Sequence, residues 1–501
     1  MKRLLDTVER VGNKVPHPVV IFVMLMGLVI LFSHIFYMMG ASVTYETINP
    51  DTDAVEMVTT SAQSLLTADG ISFMYSQVVA NFMSFTAVGV IIVAMLGVGV
   101  AEAAGLIGAM IRKLVQVASP ASLTYILVFV GILSSIAADA GYLVLIPLAA
   151  AAFLSVGRHP LVGLAASFAG VAAVFSVNIF VKPLDGILVG ITNDAIHLMN
   201  PGLSIDLMSN FWFSLASVVL LTVVVSLITD KIIEPRLGPY TEGGAAVPQK
   251  KGLSAEESRG LRFAMWATVG VLAFFALLSL PPGAPLRNHE TGALIGDSPF
   301  MNGLIVFIAV VFLVAGAAYG IGAGTMRGTV KIVGAMEKAI AGLGGLLLLL
   351  FVISQFLAWF TYSNMATLAA VKMGDVLEAA GLGALPLLIG FVVVVGVLDL
   401  IMTGAIPKWA IFAPVFVPLL MRLGVEPEAV LAAYRVGDSP FNAVSPMNAY
   451  FALIVSFAAK YQKDAGVGTV IALMLPYVIA LFIIWPLLLG AWHVLGFPWG
   501  L

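Results

Sequence analysis

The sequence contains no cysteine and carries little charge. With no cysteine among 501 residues, disulfide bonds, thiolate metal ligands and thiol catalysis are excluded. Only 10% of the residues are charged, against about 25% in an average soluble domain, while 60% are hydrophobic. The net charge of −3 argues against a nucleic-acid partner. These values predict a polytopic membrane protein that is surrounded by lipid.

Motifs for ATP use and for zinc hydrolysis are also missing. The sequence has no Gly-x-x-x-x-Gly-Lys-Ser/Thr loop, which argues against ATP-driven transport. Its 6 histidines form no His-Glu-x-x-His pattern and lie in loops or near the ends of predicted spans. The first residues lack the cleavage pattern of a signal peptide, so the first apolar run is expected to remain as an anchor. We therefore expect a protein that is not an enzyme and needs no cofactor beyond a coupling ion.

Lysine and arginine indicate how the apolar runs are oriented. Basic residues precede the first run, whereas 40–84 contains acidic residues but no lysine or arginine. By the positive-inside rule, the N-terminus is predicted to be cytoplasmic and 40–84 to lie on the outer side. The basic residues before the first run are Lys2, Arg3, Arg10 and Lys14.

The chain is predicted to consist of two halves, 1–230 and 263–501, joined by a cytoplasmic linker at 231–262. Each half contains full spans, one hairpin with short arms and one broken helix. The hairpins are predicted at about 121–157 on the cytoplasmic side and about 385–423 on the outer side, and the broken helices at about 161–190 and 427–457. The fold class is thus all-α, with about nine transmembrane helices plus two re-entrant hairpins.

The two hairpin regions resemble each other in sequence. A constant offset aligns a proline, a glycine, a second proline and a second glycine of the first unit with the same residue types in the second. Similar units of opposite orientation form an inverted repeat, which is typical of ion-coupled transporters. The aligned pairs are Pro147 and Pro414, Gly157 and Gly424, Pro160 and Pro427, and Gly170 and Gly437.

The apolar region 430–457 contains Arg435 and Asp438 near its middle. Each unpaired charge costs roughly 2.5–3.5 kcal/mol at the centre of a bilayer. Pro440 and Pro446 also interrupt the helical hydrogen bonds. A broken helix at this depth is tolerated where it is buried in protein or lines a watery cavity, as in secondary transporters. The alternative is a proline-kinked helix in which Arg435 and Asp438 form a structural pair one turn apart.

Some of the charged and aromatic residues are candidates for binding a carboxylate, an aryl group or a cation. Arg435 can bind a carboxylate through two parallel hydrogen bonds, and Trp409 offers a flat face for an aryl group. Asp185 and Asp438 are candidates for the coupling cation, because a carboxylate can accept a proton or coordinate Na⁺. Trp409 could instead pack in the core or anchor at the interface, and Asp185 could pair with Lys182 at the outer surface.

The hairpin tips and helix breaks are expected to converge near the midplane of the membrane. The polar residues that this convergence gathers are Ser134, Ser135, Asp139, Ser176, Asn178, Thr403, Ser439, Asn442 and Asn448, beside those already named. The candidates for substrate binding are Trp409, Arg435, Ser135, Asn178 and Asn442. The candidates for ion or proton coupling are Asp185, Asp438, Ser439 and Asp399, with Na⁺ expected near Asp438 and Asn442.

Two stretches, Lys408-Trp-Ala-Ile-Phe-Ala-Pro-Val-Phe-Val-Pro418 and Tyr434-Arg-Val-Gly-Asp438-Ser439, resemble the AbgT family of p-aminobenzoyl-glutamate transporters. The likeness spans nearly the whole chain. It implies a homodimer of nine spans and two hairpins in the bacterial inner membrane. It also implies transport of p-aminobenzoyl-glutamate, or export of sulfonamide antimetabolites, coupled to Na⁺ or protons. The functional positions of the family fall here on Asp185, Trp409, Pro427, Arg435 and Asp438.

The sequence departs from the family pattern at two positions. Ile406 stands where the family has a serine, and Asp399 stands where asparagine is common. Three alternatives stay open: a Na⁺-coupled symporter of another carboxylate, an intramembrane hydrolase and a channel. A hydrolase would need a Ser–His pair or paired aspartates at depth, which the placement of the histidines argues against.

Overall fold

A computed structural model describes the chain over residues 16, 18–48, 55–116, 119, 122–136, 141–240, 253–295, 298–379, 383–400, 404–445, 448 and 450–501. The basic N-terminal residues, the middle of the linker, Asp139 and Thr403 lie outside these ranges. Expectations about them therefore stay predictions.

Helices dominate both halves. The elements of the first half are α1 (Pro18–Met38), β1 (Ser42–Ile48), β2 (Val55–Ser61), α2 (Ala68–Ser76), α3 (Val78–Ser84), α4 (Thr86–Ala104), α5 (Leu106–Gln116), α6 (Leu123–Leu133), α7 (Ile146–Ser155), α8 (Pro160–Phe168), α9 (Pro183–Ile196), α10 (Phe211–Ile228) and α11 (Glu234–Leu237). Those of the second half are α12 (Ala255–Ser279), α13 (Pro299–Asn302), α14 (Leu304–Ala323), α15 (Thr329–Gly342), α16 (Gly344–Tyr362), α17 (Met365–Ala379), α18 (Ala384–Asp399), α19 (Ala405–Arg422), α20 (Pro427–Asp438), α21 (Phe451–Ala459) and α22 (Val467–Leu495).

Eight stretches of the described chain are long and apolar enough to cross a membrane, which confirms the predicted polytopic helical class. They are Pro18–Met38, Thr86–Ala104, Phe211–Leu237, Ala255–Ser279, Leu304–Ala323, Gly344–Tyr362, Ala405–Arg422 and Val467–Leu495. Three arms of the predicted hairpins are shorter apolar helices, whereas the fourth, α19, begins at Ala405 and is longer than expected. The count of nine spans and the re-entrant hairpins stay predictions.

The segment 40–84, which is predicted to lie on the outer side, contains a small β-sheet. Strands β1 and β2 form an antiparallel hairpin in which Ser42 pairs with Ser61 and Ile48 with Val55. Both strands are rich in valine, threonine and isoleucine, whose branched side chains favour extended backbone. This small sheet is an addition to an otherwise helical protein.

The predicted linker is partly helical at both ends. Helix α11 continues to Leu237, and α12 begins at Ala255, inside the range 231–262. The start of α12 is fixed by a capping box, because the Ser254 hydroxyl accepts from the Glu257 amide at 3.1 Å and the Glu257 carboxylate accepts from the Ser254 amide at 2.9 Å. The linker is therefore shorter than the charge pattern indicated.

Both predicted broken helices are interrupted. In the first, α8 passes into a π-helical turn at Ala169–Ala173, and the helix resumes only at Pro183. In the second, α20 ends at Asp438 and a 3₁₀ turn follows at Pro440–Ala443, before α21 begins. The interruption expected from Pro440 is confirmed, since proline cannot supply the amide that an α-helix requires.

The turns that lead into the two broken helices have the same local geometry. Gly157 and Gly424 each adopt φ +78, a left-handed conformation that favours glycine. Pro160 and Pro427 each occupy the first turn of the helix that follows, where proline is well tolerated. The sequence match between the two units therefore extends to backbone conformation.

A second pair of glycines, Gly170 and Gly437, permits close packing in each unit. A Cβ atom on Gly170 would lie 2.7 Å from the Val128 carbonyl oxygen of α6. A Cβ atom on Gly437 would lie 2.7 Å from the Val392 carbonyl oxygen of α18. Each broken helix thus packs its glycine against the first arm of its own hairpin. These matches support the repeat, while the opposite orientation of the two units stays a prediction.

Replacing Gly437 with alanine is expected to destabilise the protein by roughly 1–3 kcal/mol, because the added methyl group overlaps backbone atoms of α18. Thermal unfolding in detergent checks this. The matched control is Gly390→Ala on α18 itself, where an added Cβ has no neighbour within 4 Å. The control should melt at or above the wild-type temperature. Equal melting temperatures for the Gly437→Ala variant and wild type would contradict the packing argument.

Candidate functional site

The two helix breaks lie against each other. The Ser176 amide of the first break donates to the Ser439 hydroxyl of the second at 3.1 Å. The Ser176 hydroxyl donates to the Asp438 carboxylate at 3.2 Å. The predicted convergence of the breaks is therefore observed, while their depth in the bilayer stays a prediction.

Arg435 on α20 and Asp185 on α9 form a buried ion pair, called here the arginine pair. Nη1 of Arg435 lies 2.5 Å from Oδ1 of Asp185, and the two residues are 4% and 8% exposed. Arg435 also donates to the Ser176 carbonyl at 2.8 Å and to Asn210 at 3.2 Å. Oδ2 of Asp185 accepts from the Lys182 backbone amide at 2.8 Å, which caps α9. The surface pairing of Asp185 with Lys182, one of the two expectations for this residue, is therefore wrong.

Asp438 pairs with Lys408 and not with Arg435, contrary to the pairing that the kinked-helix alternative required. Nζ of Lys408 lies 2.7 Å from the Asp438 carboxylate and also contacts the Asp399 carboxylate. The Tyr434 hydroxyl lies 3.1 Å from Oδ1 of Asp438. We call the set Asp399, Lys408 and Asp438 the lysine bridge. It joins α18, α19 and α20, and all three side chains are almost completely buried.

The charges of the buried centre are balanced overall but unevenly distributed. In the arginine pair one cation faces one carboxylate, while in the lysine bridge one ammonium faces two carboxylates. Oδ2 of Asp399 is buried and has no hydrogen-bond partner among the described residues. With ordinary ionisation, the lysine bridge therefore carries an excess of one negative charge.

Lys182, which is 1% exposed, supplies the balancing positive charge. Its ammonium donates to the Phe175 carbonyl, lies 3.5 Å from the Ser135 hydroxyl and 4.9 Å from the centre of the Phe175 ring. No Asp or Glu in the described ranges lies within ion-pair distance of it. The cation and the excess anion of the site thus occupy different places.

Two predicted substrate ligands, Ser135 and Asn178, come together beside Lys182. The Asn178 side-chain amide donates to the Ser135 hydroxyl at 3.0 Å and to the Ile132 carbonyl at 3.1 Å. These bonds tie the end of α6 to the first break. Ser134 donates only to the Gly131 carbonyl of its own helix.

Asn442 and Pro427 have less direct relations to the ion pairs. The Asn442 side-chain amide donates to the Asp438 carbonyl at 2.9 Å and the Asn448 side-chain amide donates to the Asn442 carbonyl at 3.0 Å, so both lie in the second break. Pro427 begins α20, about 12 Å along the helix axis from Arg435. The structure does not bring Pro427 to the ion pairs.

Trp409 is completely buried next to the lysine bridge. Its ring centre lies 4.5 Å from that of Tyr434, and its Nε1 donates to the Leu188 carbonyl at 3.1 Å and to Thr192 at 3.0 Å. In this conformation the indole packs between α9, α19 and α20. A role in binding an aryl group stays a prediction, and it requires a conformation in which the indole face is uncovered.

Three functional candidates were not assigned from the sequence: Lys408, Lys182 and Asn210. A signal existed for the lysines, because a lysine within an apolar stretch is expected to have a partner or a function. Asn210 precedes α10 and gave no signal, yet it links Arg435 to the Glu428 carbonyl, to which it donates at 2.9 Å. No group of three or more His, Asp or Glu side chains in the described chain is close enough to hold a metal ion.

Known proteins are similar to this chain over nearly its whole length. The model of the AbgT transporter family matches residues 3–501. The p-aminobenzoyl-glutamate transport protein of Escherichia coli (strain K12) is 34% identical over 498 residues, which are 99% of this chain and 96% of that protein.

Two solved structures are similar in fold and sequence. The YdaH transporter of Alcanivorax borkumensis has a TM-score of 0.90 and 40% identity, and the match covers 97% of this chain and 100% of that one. MtrF of Neisseria gonorrhoeae, described as illuminating a class of antimetabolite efflux pumps, has a TM-score of 0.91 and 38% identity, and the match covers 98% of this chain and 97% of that one.

Proposed function

Because the chain belongs to the AbgT family of membrane transporters, we propose that it is an ion-coupled secondary transporter of aryl carboxylates resembling p-aminobenzoyl-glutamate. Alternating access around the two helix breaks moves the substrate. The observation that carries the proposal is the lysine bridge, in which one buried ammonium is shared by two carboxylates. A buried site with excess negative charge favours the binding of a cation.

The coupling cation binds at the lysine bridge. The Asp438 carboxylate already accepts from Lys408 and Ser176, whereas Oδ2 of Asp399 has no partner in the described chain. Proton or Na⁺ binding there weakens the hold of Lys408 on Asp399 and hence the contact of α18 with α19. Ser439, Asn442 and Asp438 provide further oxygen atoms next to this position. The cation thereby controls whether the second hairpin can move.

The substrate carboxylate binds Arg435 in place of Asp185. The substrate therefore competes with an internal carboxylate, and Asp185 must move away from Arg435 when the substrate arrives. Once Tyr434 moves away from Trp409, the exposed indole face receives the aryl ring. We place Ser135, Asn178 and Asn442 around the cavity that opens between the two breaks.

Export of sulfonamide antimetabolites through the same cavity is a second candidate. Its support is the similarity to MtrF, described as an antimetabolite efflux pump. Sulfonamides share the aryl amine of p-aminobenzoyl compounds, so a site built around Trp409 accepts both. The direction of net transport then follows from which ion gradient is coupled.

The protein is proposed to work as a homodimer in the bacterial inner membrane, with its N-terminus in the cytoplasm. Helix α12 is the least buried of the eight candidate spans, and Trp266, Phe274 and Leu277 on it are exposed. Such an apolar face can contact lipid or a second copy of the chain.

Transport is proposed in preference to hydrolysis. Histidine contacts serine at two places in the described chain, His34 with Ser64 at 3.0 Å and His197 with Ser204 at 2.9 Å. Neither histidine is bonded to the arginine pair or to the lysine bridge within the described residues. A reacting group in the central cavity would thus have no general base of the serine-hydrolase kind.

Reconstitution into liposomes with separate Na⁺ and proton gradients tests the proposal. Uptake of radiolabelled p-aminobenzoyl-glutamate should saturate and should exceed equilibrium only when one of the two gradients is present. One pH unit is worth about 1.4 kcal/mol per proton, so coupling to one proton gives up to about tenfold accumulation. Flux without saturation would indicate a channel. Saturable flux that ignores both gradients would refute ion coupling.

A further inference from the structure

Lys182 differs from the other buried cations because its ammonium has no acidic partner among the described residues. Arg435 and Lys408 each contact a carboxylate, whereas Lys182 contacts only the Phe175 carbonyl and the Ser135 hydroxyl within the described part of the chain. A charged ammonium that is removed from water normally has a counter-ion, because desolvation is costly. The geometry therefore leaves Lys182 able to bind an anion from outside the chain.

An anion that binds Lys182 displaces no carboxylate of the described part of the chain. At Arg435 the substrate must first replace Asp185, and at Lys408 it would meet two negative charges. At Lys182 it gains a charge-assisted hydrogen bond without such competition. Lys182 also directly precedes α9, a helix of 14 residues whose N-terminal amides favour negative charge. Both features select an anion.

The Lys182 ammonium and the Arg435 guanidinium donate to the carbonyls of two consecutive residues. Nζ of Lys182 donates to the Phe175 carbonyl, and Nη1 of Arg435 donates to the Ser176 carbonyl at 2.8 Å. A ligand with two carboxylates can therefore reach both cations once the cavity opens. Ser135 and Asn178, which are bonded to each other beside the Lys182 ammonium, form the polar wall of this position. Phe175 covers the ammonium in the present conformation.

We infer that Lys182 determines substrate specificity: its ammonium binds the second carboxylate of a dicarboxylate substrate while Arg435 binds the first. The inference rests on the proposed function and specifies the substrate class of the same cavity. Substrates with a glutamyl group are preferred to those with one carboxylate. Neutral aryl amines such as sulfonamides do not use this position.

Uptake of p-aminobenzoyl-glutamate and of p-aminobenzoyl-glutamine into proteoliposomes tests this inference, because the two ligands differ only in one carboxylate. Wild type should have a kcat/KM that is roughly 10- to 100-fold higher for the glutamate compound, mainly through KM, as expected for one charge-assisted bond. The Lys182→Gln variant should lose this preference, so that its kcat/KM values for the two compounds lie within about twofold of each other. Lys182→Arg should retain part of the preference. Lys372→Gln, which removes an exposed lysine on α17, is the matched control and should behave as wild type.

Each result decides the inference. An equal loss for both compounds in Lys182→Gln would overturn it and leave the proposed function standing. If wild type transported neither compound, the proposed function itself would fail. Should the Lys182→Gln variant not fold, competition in wild type decides: the glutamine compound must inhibit uptake at least about tenfold more weakly than the glutamate compound. Equal inhibition would overturn the inference.

Discussion

Substituting Arg435 with glutamine is expected to abolish transport of p-aminobenzoyl-glutamate and to destabilise the protein by about 3–5 kcal/mol. The substitution leaves Asp185 charged and buried, with no cation to pair with. It also removes the bonds to the Ser176 carbonyl and to Asn210, so the first break keeps only the bond between the Ser176 hydroxyl and Asp438 as its described side-chain attachment to α20. Uptake in proteoliposomes and thermal unfolding in detergent measure the two effects separately.

The double variant Asp185→Asn with Arg435→Gln separates the two roles of the arginine. With both charges removed, most of the lost stability should return, because the main cost of the single variant is an unpaired carboxylate. Transport should remain absent, since no arginine is left to bind the substrate. Transport at the wild-type rate in either variant would show that Arg435 does not bind the substrate carboxylate.

Substituting Asp438 with asparagine is expected to abolish substrate accumulation while exchange across the membrane continues. Asparagine has nearly the same shape: its one carbonyl oxygen can replace Oδ1 and accept from Lys408, while its amide group can donate to the Ser176 hydroxyl at the position of Oδ2. The excess negative charge of the lysine bridge disappears, and with it the reason for a cation to bind. The variant should lose all of the roughly tenfold accumulation that one proton and one pH unit can drive. Counterflow exchange of labelled for unlabelled substrate should stay measurable.

Asp399→Asn is the natural companion to the Asp438 variant. Asp399 contacts Lys408 but not Ser176 or Arg435 within the described residues, so its loss leaves the helix breaks intact. We expect a weaker dependence on the coupling gradient and a normal rate of exchange. Ordinary accumulation in both variants would place the coupling ion elsewhere, with Asp185 as the remaining buried carboxylate of the centre.

The surroundings of Arg435 show which structural features the sequence predicts and which it does not. Proline and charge within one apolar run predicted the broken helix correctly, because both are local properties of the backbone. The partner of Arg435 is 250 residues away in the chain, on α9. Along the sequence only Asp438 stood near Arg435, and the alternative that paired them was wrong. Pairing between residues that are far apart in the chain depends on how the helices pack. This packing cannot be inferred from a single sequence.

The sequence prediction also lacked the role of Lys408 and the β-hairpin, and long-range pairing is not the reason for either. Lys408 lies inside an apolar stretch, which indicates a partner or a function, but the prediction assigned the functional roles to the neighbouring Trp409 and to the nearby aspartates. The charges of 40–84 predict on which side of the membrane the segment lies, but they do not predict the hairpin at Ser42–Ile48 and Val55–Ser61. Its valine and threonine content would have predicted strands. The sequence therefore contains a signal for both features: a lysine within an apolar stretch, and two runs that contain valine and threonine.

Ser176 belongs to both charged groups at once, through its carbonyl to Arg435 and its hydroxyl to Asp438. When the two halves of the molecule separate at this point, both bonds must therefore break together. Breaking only one of them would leave a buried polar atom without a hydrogen-bond partner. We therefore expect arrangements in which only one of the two bonds is intact to be disfavoured. A transporter in which both bonds break together should seldom change conformation without substrate. We therefore expect little movement of the coupling ion that is not accompanied by substrate transport.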